Sequence, residues 1–208
     1  MKHDCGILSA ATAFGKTVVC SRLIAERKVS TLILLESSAL IEQWQKALER
    51  FLEFREDFPE YETKTGRKKR RKSVVGIIHG PKDTSTGIVD IAMAGSLCKK
   101  GEFHPRLREY GMVLVDECHH SASETLRSVL QEVHAQYVYG VTATPFRGDG
   151  LEKINEMLVR QHEPPLPGRR GGQHHAAGKP GGGPGTVGYG ITLNRRNQER
   201  PQLLRDCS

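Results

Sequence analysis

The chain alternates short apolar runs with amphipathic stretches from its start to about residue 159. The apolar runs predict strands buried on both faces at residues 5–10, 31–35, 74–78, 88–92, 112–115 and 137–141. Helical periodicity between them predicts helices at residues 16–27, 39–54 and 121–134, with Trp44 on the apolar face of the second. Strands that alternate with helices in this way predict an α/β domain with a mostly parallel sheet and helices on both faces.

A strongly basic run interrupts this pattern at residues 64–72. Seven of its nine residues are lysine or arginine, and an acidic stretch at residues 56–60 precedes it. Such a run is predicted to be an exposed loop or hairpin inserted between two core elements. Three roles are open for it: a solvated loop, a contact with the phosphate backbone of DNA or RNA, or a nuclear-import signal.

The composition changes again near residue 160, where a tail rich in glycine, proline and arginine begins. Because this tail has almost no apolar periodicity, residues 160–208 are predicted to be disordered and residues 1–159 to form the folded domain. An alternative is that the change marks a shift of reading frame in the encoding gene. The tail holds eight basic and three acidic residues, most of the excess behind the net charge of +7. The basicity of the whole chain is therefore weak support for a folded binding surface.

Bulk features argue against several classes of protein. The sequence has no run of about eighteen apolar residues, so no membrane span is predicted, and its start lacks the layout of a secretory signal. The five cysteines are scattered without a Cys-x-x-Cys pair, which argues against a zinc or redox centre. We expect a cytoplasmic protein with reduced thiols and no membrane partner.

The first candidate site lies where the first predicted strand meets the first predicted helix. Residues 10–17 read as a glycine-poor phosphate-binding loop, with alanine at two positions where glycine is usual. In such a loop, N–H groups at the helix start contact phosphate, a lysine offsets its charge and a hydroxyl binds Mg²⁺. Lys16 is predicted to contact the phosphates and Thr17 the metal. The predicted nucleotide-binding residues are Thr12, Ala13, Phe14, Gly15, Lys16, Thr17 and Val18.

The second candidate site is an acidic pair that follows the predicted strand at residues 112–115. Open α/β sheets bind ligands at the carboxyl ends of their parallel strands, which is where Asp116 and Glu117 fall. Asp116 is predicted to hold Mg²⁺, and Glu117 to orient and deprotonate the water that attacks the γ-phosphate. Alone, such a pair is more often a solvated turn or a helix N-cap. Together with a phosphate-binding lysine 100 residues earlier, it predicts a site for ATP and Mg²⁺.

A third strand end, at residues 140–145, leads into small hydroxyl residues and a proline. Alone, it is readily explained as a strand that the proline terminates.

In this order and spacing the three motifs resemble superfamily 2 helicases and translocases of the DEAD/DEAH-box type, over residues 6–158. The resemblance implies a RecA-like P-loop NTPase fold, ATP hydrolysis, and DNA or RNA as the partner. It makes residues 11–17 motif I, residues 116–119 motif II in its Asp-Glu-x-His form, and residues 142–144 motif III. In that family the counterparts of His119, Thr142 and Thr144 couple the nucleotide state to the nucleic acid, which adds His119 to Lys16, Asp116 and Glu117 as a catalytic candidate.

The resemblance also implies contacts with nucleic acid. Residues 34–44 look like motif Ia, and Ser37 and Ser38 are the candidates to contact the backbone through hydroxyl and N–H groups. Residues 91–97 look like the motif usually written with Thr and Gln before Ser-Leu. This likeness adds Ser96, although Ala94 and Gly95 replace the Thr and Gln. DNA is slightly preferred to RNA as the partner.

We find no adenine-reading segment before residue 5, and no second RecA-like domain with the arginine that closes the ATP site. We therefore expect the first motor lobe of a nucleic-acid-dependent ATPase, which alone would hydrolyse ATP slowly. Two alternatives stay open: a P-loop enzyme of another class, such as a small-molecule kinase, and a degenerate fragment that binds nucleic acid without catalysis.

Overall fold

A computed structural model describes residues 4–9, 15–55, 58, 60–62, 66–71, 73–118, 123–143 and 190–193. Its helices are α1 (Lys16–Arg27), α2 (Ile41–Phe51), α3 (Ala94–Leu97) and α4 (Glu124–Glu132). Its strands are β1 (Cys5–Ser9), β2 (Thr31–Leu35), β3 (Leu52–Phe54), β4 (Glu60–Glu62), β5 (Lys68–Arg70), β6 (Val75–His79), β7 (Lys82–Asp83), β8 (Val89–Met93), β9 (Cys98–Lys99), β10 (Glu102–Phe103), β11 (Met112–Asp116), β12 (Tyr137–Thr142) and β13 (Ile191–Leu193).

Among the described residues, seven strands form one central sheet in the order β1, β12, β11, β2, β8, β6 and β7. All neighbours in it are parallel except β6 and β7. The six strands predicted from apolar runs are the six parallel ones, and their ends differ from the prediction by at most one residue. The prediction of an α/β fold with a mostly parallel sheet is confirmed.

Helices cover both faces of this sheet, and β2 shows how. Ile33 and Leu35 point into one apolar cluster, which also contains residues of α1 and α2. Leu32 and Leu34 point into the other, which contains residues of α3 and α4. Every residue of β2 is buried, because alternate side chains meet helices on opposite sides.

The predicted helix at residues 39–54 is wrong at its carboxyl end. A short 3-10 helix, Ser38–Leu40, precedes α2, and Leu52–Phe54 forms β3. β3 pairs antiparallel with β13, so Leu52 lies opposite Leu193. A helical spacing of apolar residues continues into β3, but pairing with a strand far away in the sequence decides its conformation.

β13 also departs from the disorder predicted for residues 160–208. Ile191 is fully buried and belongs to the apolar cluster that contains α1 and α2. The prediction of disorder is therefore wrong for Ile191–Leu193, because backbone pairing with β3 and one buried side chain order this segment. The domain boundary near residue 160 and the reading-frame hypothesis stay predictions.

The basic run forms the predicted hairpin where the structure describes it. β4 and β5 pair antiparallel, with Glu60 opposite Arg70 and Glu62 opposite Lys68. All residues of both strands are exposed.

β8 carries a fully buried carboxylate, Asp90. The Tyr110 hydroxyl and the Gly87 N–H donate to its Oδ2 at 2.7 and 2.8 Å, and the Thr86 N–H donates to its Oδ1 at 2.8 Å. On the neighbouring strand β6, a Cβ at Gly76 would lie 2.0 Å from Asp90 Oδ1, so only glycine fits there. Burial, together with the charge of Asp90, raises the pKa of the Tyr110 hydroxyl, which keeps it a donor at neutral pH.

No helix in the described part of the chain is long and apolar enough to cross a membrane.

Candidate nucleotide-binding site

The start of α1 is the first component of the site. Gly15 is the N-cap of α1, with φ 73° and ψ 41°, and this left-handed conformation favours glycine. Its carbonyl accepts the N–H groups of Val18 and Val19 at 2.8 and 3.2 Å. The first turn of α1 has neither an acidic residue nor a side-chain cap. The N-terminal end of its dipole is therefore not offset by a carboxylate in that turn, which favours an anion there.

The second component is the ion pair between Lys16 and Glu117, which joins the first residue of α1 to the residue after β11. The two side chains are 11% and 24% exposed, so the pair is partly shielded from water. The structure thus brings together the cation and the carboxylate that the sequence assigns to phosphate binding and to water activation.

Asp116, at the carboxyl end of β11, is nearly buried, with 7% of its surface exposed. The Trp44 indole N–H donates to its Oδ2 at 2.9 Å, and the Glu117 N–H donates to its Oδ1 at 3.0 Å. Burial raises the pKa of Asp116, although the hydrogen bond from Trp44 and the charge of Lys16 counteract part of the effect. The sequence prediction missed Trp44 as a site residue because its apolar spacing suggested only core packing. The signal that could have found it is that a buried indole N–H usually needs an acceptor.

Glu117 has φ 48°, an unusual conformation for a residue other than glycine. This conformation costs on the order of 1 kcal/mol and is more common at functional sites. The Ala143 N–H, just after β12, donates to Glu117 Oε2 at 3.3 Å. Motif III is thus in contact with motif II through a backbone group that the sequence prediction did not include, while the predicted Thr142 is fully buried at the end of β12.

Two buried thiols lie close to the site. Burial raises the pKa of Cys20 to about 12 and that of Cys118 to about 11, so both stay protonated at neutral pH. A Cβ at Gly140 would lie 2.9 Å from the Cys118 sulfur, so the glycine on β12 makes room for this thiol. Both thiols are free and buried.

The chemical groups of the site fit a nucleotide that arrives with Mg²⁺. Among the described residues, no group of three or more His, Cys, Asp or Glu side chains could hold a metal by itself. Mg²⁺ is usually held by one or two carboxylates together with phosphate oxygens of the substrate. Asp116 and Thr17 fit this kind of shared coordination, and Lys16 fits the phosphates.

Several predicted site residues lie outside the described residues: Thr12, Ala13, Phe14, His119 and Thr144. Their roles stay predictions.

The three serines predicted to contact nucleic acid differ in their exposure to solvent. Ser37 and Ser38 are exposed at the turn after β2, where the Ser37 hydroxyl accepts the Ala39 N–H at 3.4 Å. Ser96 is only 9% exposed, and its hydroxyl accepts the Gly80 N–H at 2.9 Å. Ser37 and Ser38 are therefore exposed, whereas the nearly buried Ser96 hydroxyl is engaged by the Gly80 N–H. Contact of these three serines with nucleic acid stays a prediction.

A cleft of about 300 Å³ opens at the carboxyl ends of β2, β8 and β11. Its lining includes Glu36, Gly95, Asp116 and Ser123, but neither Lys16 nor Glu117. It borders the nucleotide site at Asp116 and extends toward the turn that carries Ser37 and Ser38.

Comparisons with known proteins identify the family of the chain. A sequence profile of the family described as "Type III restriction enzyme, res subunit" matches residues 1–147. A protein named DNA 3'-5' translocase XPB2, from Sulfurisphaera tokodaii, is 29% identical over 159 residues, which are 76% of this chain and 31% of that protein. Putative helicase 109L of Invertebrate iridescent virus 3 is 29% identical over 158 residues, which are 76% of this chain and 44% of that protein. The chain thus spans less than half the length of these relatives.

A solved structure supports the fold. The crystal structure of a hypothetical ATP-dependent RNA helicase from Sulfolobus tokodaii aligns with a TM-score of 0.53 and 15% identity, over 77% of this chain and 46% of that one. At this identity the likeness concerns the fold alone. The family profile covers α1, β11 and β12, which carry the motifs of the site. The chain therefore belongs to the family described as "Type III restriction enzyme, res subunit", and it has a RecA-like α/β fold.

Proposed function

We propose that this chain is the ATP-binding lobe of a nucleic-acid-dependent ATPase that hydrolyses ATP with Mg²⁺ to drive movement along DNA or RNA. The observation that carries the proposal is the ion pair between Lys16 and Glu117, which are 101 residues apart in the sequence. The lysine proposed to bind phosphate thus lies beside the candidate general base, at the carboxyl edge of a parallel sheet, where such folds bind ligands.

The residues divide the chemistry among them. Lys16 would leave Glu117 for the phosphates of ATP, and the released carboxylate can then accept the proton of the attacking water. The hydrogen bond from the Ala143 N–H keeps Glu117 in place when Lys16 leaves. Asp116 and Thr17 would hold Mg²⁺, which when bound offsets the negative charge of the phosphate oxygens.

Nucleic acid as the partner rests on the relatives and on the exposed turn at Ser37 and Ser38. One relative is named as a DNA translocase, and a solved structure with the same fold is described as an RNA helicase. We place DNA slightly ahead, because the relative named for it is 29% identical in sequence, whereas the structure described as a hypothetical RNA helicase is 15% identical. A cytoplasmic location and a second RecA-like lobe that supplies an arginine to the ATP site are part of the proposal.

Nucleotide binding tests the first half of the proposal. Lys16→Ala is expected to weaken binding of a fluorescent ATP analogue to this chain at least tenfold, because a charge-assisted contact to phosphate is lost. Lys46→Ala is the matched control, since Lys46 is 73% exposed on α2 and pairs only with Glu42 among the described residues. Equal affinities for the Lys16→Ala and wild-type proteins would support the degenerate, non-catalytic alternative.

Turnover tests the second half. In the intact protein that contains this chain, ATP hydrolysis is expected to rise when single-stranded DNA or RNA is added. Glu117→Gln should abolish the rise without loss of nucleotide binding, because the amide cannot accept the proton. Glu124→Gln, at an exposed position in the first turn of α4, is the control. If the rate of ATP turnover does not change with added nucleic acid but rises with a small acceptor molecule, the result would support the kinase alternative.

A further inference from the structure

Exposed aromatic side chains are concentrated beside the basic hairpin. The large hydrophobic side chains exposed in the described part of the chain are Val18, Phe58 and Tyr61. Val18 lies in the first turn of α1. Phe58, 46% exposed, lies two residues before β4, and Tyr61, 39% exposed, lies within it. A single exposed aromatic side chain is common at a protein surface, so what distinguishes Tyr61 is the set of charges around it.

The cross-strand register gives the hairpin one neutral face. Glu60 lies opposite Arg70, and Glu62 opposite Lys68. Residues directly opposite one another in an antiparallel pair point to the same side of the sheet, so these four side chains share a face. Two acids and two bases on that face cancel in net charge.

The other face has a different composition, and we name it the Tyr61 face, made of Tyr61, Lys69 and Arg71. Tyr61 lies opposite Lys69, and the guanidinium of Arg71 stacks over the Tyr61 ring at 5.0 Å from its centroid. This face carries two positive charges, an aromatic ring and no acidic residue. The hairpin thus sorts its charges, with the acids of β4 opposite bases on one face and the aromatic ring among unbalanced bases on the other.

We propose that the Tyr61 face binds a single strand of nucleic acid, with a base stacked on Tyr61 and phosphates held by Lys69 and Arg71. Sites of this type combine cations that follow the backbone with aromatic rings on which bases stack. Lys69 lies directly across from Tyr61, and Arg71, two positions further along the chain and about 6.8 Å from Lys69, reaches over the ring, so both cations lie beside the aromatic side chain. Arg71 already stacks on the ring, which holds the ring in place and adds positive charge beside it.

The chemistry favours a single strand over other polyanions. A duplex buries its base faces inside the helix and offers a ring nothing to stack on, whereas an unpaired base offers both faces. An acidic peptide or an anionic membrane would use the cations but gains no stacking on Tyr61. The inference rests on the proposed function in taking nucleic acid as the partner, but the binding it predicts needs no ATP.

The test measures fluorescence anisotropy of a labelled single-stranded oligonucleotide, oligo(dT) or oligo(U), with this chain and without ATP. Tyr61→Ala is expected to weaken binding about fivefold or more, the change that corresponds to one base–aromatic stack of about 1 kcal/mol. Tyr61→Phe keeps the ring and is expected to bind like the wild type.

Adjacent lysines on β5 give a matched control, because each substitution removes one exposed positive charge. Lys69→Ala is expected to weaken binding and to lower the slope of log K against log salt by about 0.7, the value for one phosphate of a single strand. Lys68→Ala, on the neutral face, should leave that slope unchanged. Thermal unfolding should be the same for all these variants, since the changed side chains are exposed.

Several results would overturn the inference: no wild-type binding, Tyr61→Ala affinity within twofold of wild type, or equal losses for Lys68→Ala and Lys69→Ala. Binding of poly-glutamate or of phosphatidylserine vesicles with the same dependence on Tyr61 would also overturn it, in favour of a peptide or a membrane. The proposed function is judged separately. If Lys16→Ala leaves nucleotide binding unchanged, only the proposed ATP site is contradicted. If nucleic acid still stimulates ATP turnover in Tyr61→Ala, only the proposed role of the hairpin is contradicted.

Discussion

The hydrogen bond between Trp44 and Asp116 allows a quantitative test of how the site is held. Trp44 is 3% exposed and Asp116 is 7% exposed, so water does not readily replace a lost partner. Among the described residues, the donors to this carboxylate are the Trp44 indole at Oδ2 and the Glu117 N–H at Oδ1. Trp44→Phe keeps an aromatic ring but leaves Oδ2 without the indole donor. A hydrogen bond to a charged group contributes about 1.5–3 kcal/mol, so we expect a loss of stability of at least this size.

The smaller ring also leaves a cavity, and a double-mutant cycle separates the two effects. Urea unfolding followed by circular dichroism at pH 8 would give the free energies of unfolding of the wild type, Trp44→Phe, Asp116→Ala and the double variant. The expected coupling energy is about 1.5–3 kcal/mol, because the cavity term cancels in the cycle while the hydrogen bond does not. A coupling energy below about 0.5 kcal/mol would refute the reasoning, since additive effects mean that the two side chains do not interact.

Three further predictions follow from buried or paired carboxylates. Gly76→Ala should cost about 1–3 kcal/mol or more of stability, because its Cβ would meet Asp90 Oδ1 at 2.0 Å; urea unfolding measures this. Asp116→Asn should raise the midpoint of thermal unfolding at pH 8. Burial raises the folded-state pKa of Asp116 above the ordinary value for an aspartate, so the charged form is disfavoured at pH 8 and the gain should vanish below about pH 4, where the carboxyl is protonated in both states. Although burial opposes it, hydrogen bonding from His104 and Ser85 lowers the pKa of Asp83 to about 2. Its contribution to stability is present above pH 4 and lost as pH falls toward 2, so His104→Ala should flatten the acid limb of the unfolding profile.

For each of these three predictions, one experimental result would contradict it. Gly95→Ala is the control for Gly76→Ala, because nothing lies within 4 Å of a Cβ at Gly95, and equal losses would contradict the steric argument. If Asp116→Asn is no more stable than the wild type at pH 8, the interactions of the Asp116 carboxylate with Lys16 and Trp44 fully offset the cost of burying its charge. An unchanged acid limb in His104→Ala would mean that the 51%-exposed Asp83 gains nothing from its partner.

The central sheet was predictable because each parallel strand is a near-continuous apolar run bounded by polar residues. The helix of residues 16–27 was predictable for a similar reason, since its apolar period begins directly after a glycine. Local pattern carries this information, because burial on both faces and helical amphipathicity both leave periodic traces in the sequence.

What the sequence could not show depends on contacts between distant residues. β3 is strand because of Ile191–Leu193, and Trp44 is a site residue because Asp116, 72 residues away, accepts its N–H. The Lys16–Glu117 pair was predictable only because two motifs with known partners occur together. Asp90 could have been noticed as a lone carboxylate inside an apolar strand, but its donors lie in a turn and on Tyr110, where no periodicity marks them.

The position of Trp44 has a practical consequence. It is the only tryptophan of the chain, and its indole is hydrogen-bonded to the carboxylate proposed to share Mg²⁺ with ATP. The intrinsic emission of the unlabelled protein therefore arises at the edge of the nucleotide site, and a change at Asp116 alters the field at the fluorophore directly. Titration of the wild-type chain with ATP and Mg²⁺ would then be read out as a spectral shift without any dye, from a reporter that the fold itself provides.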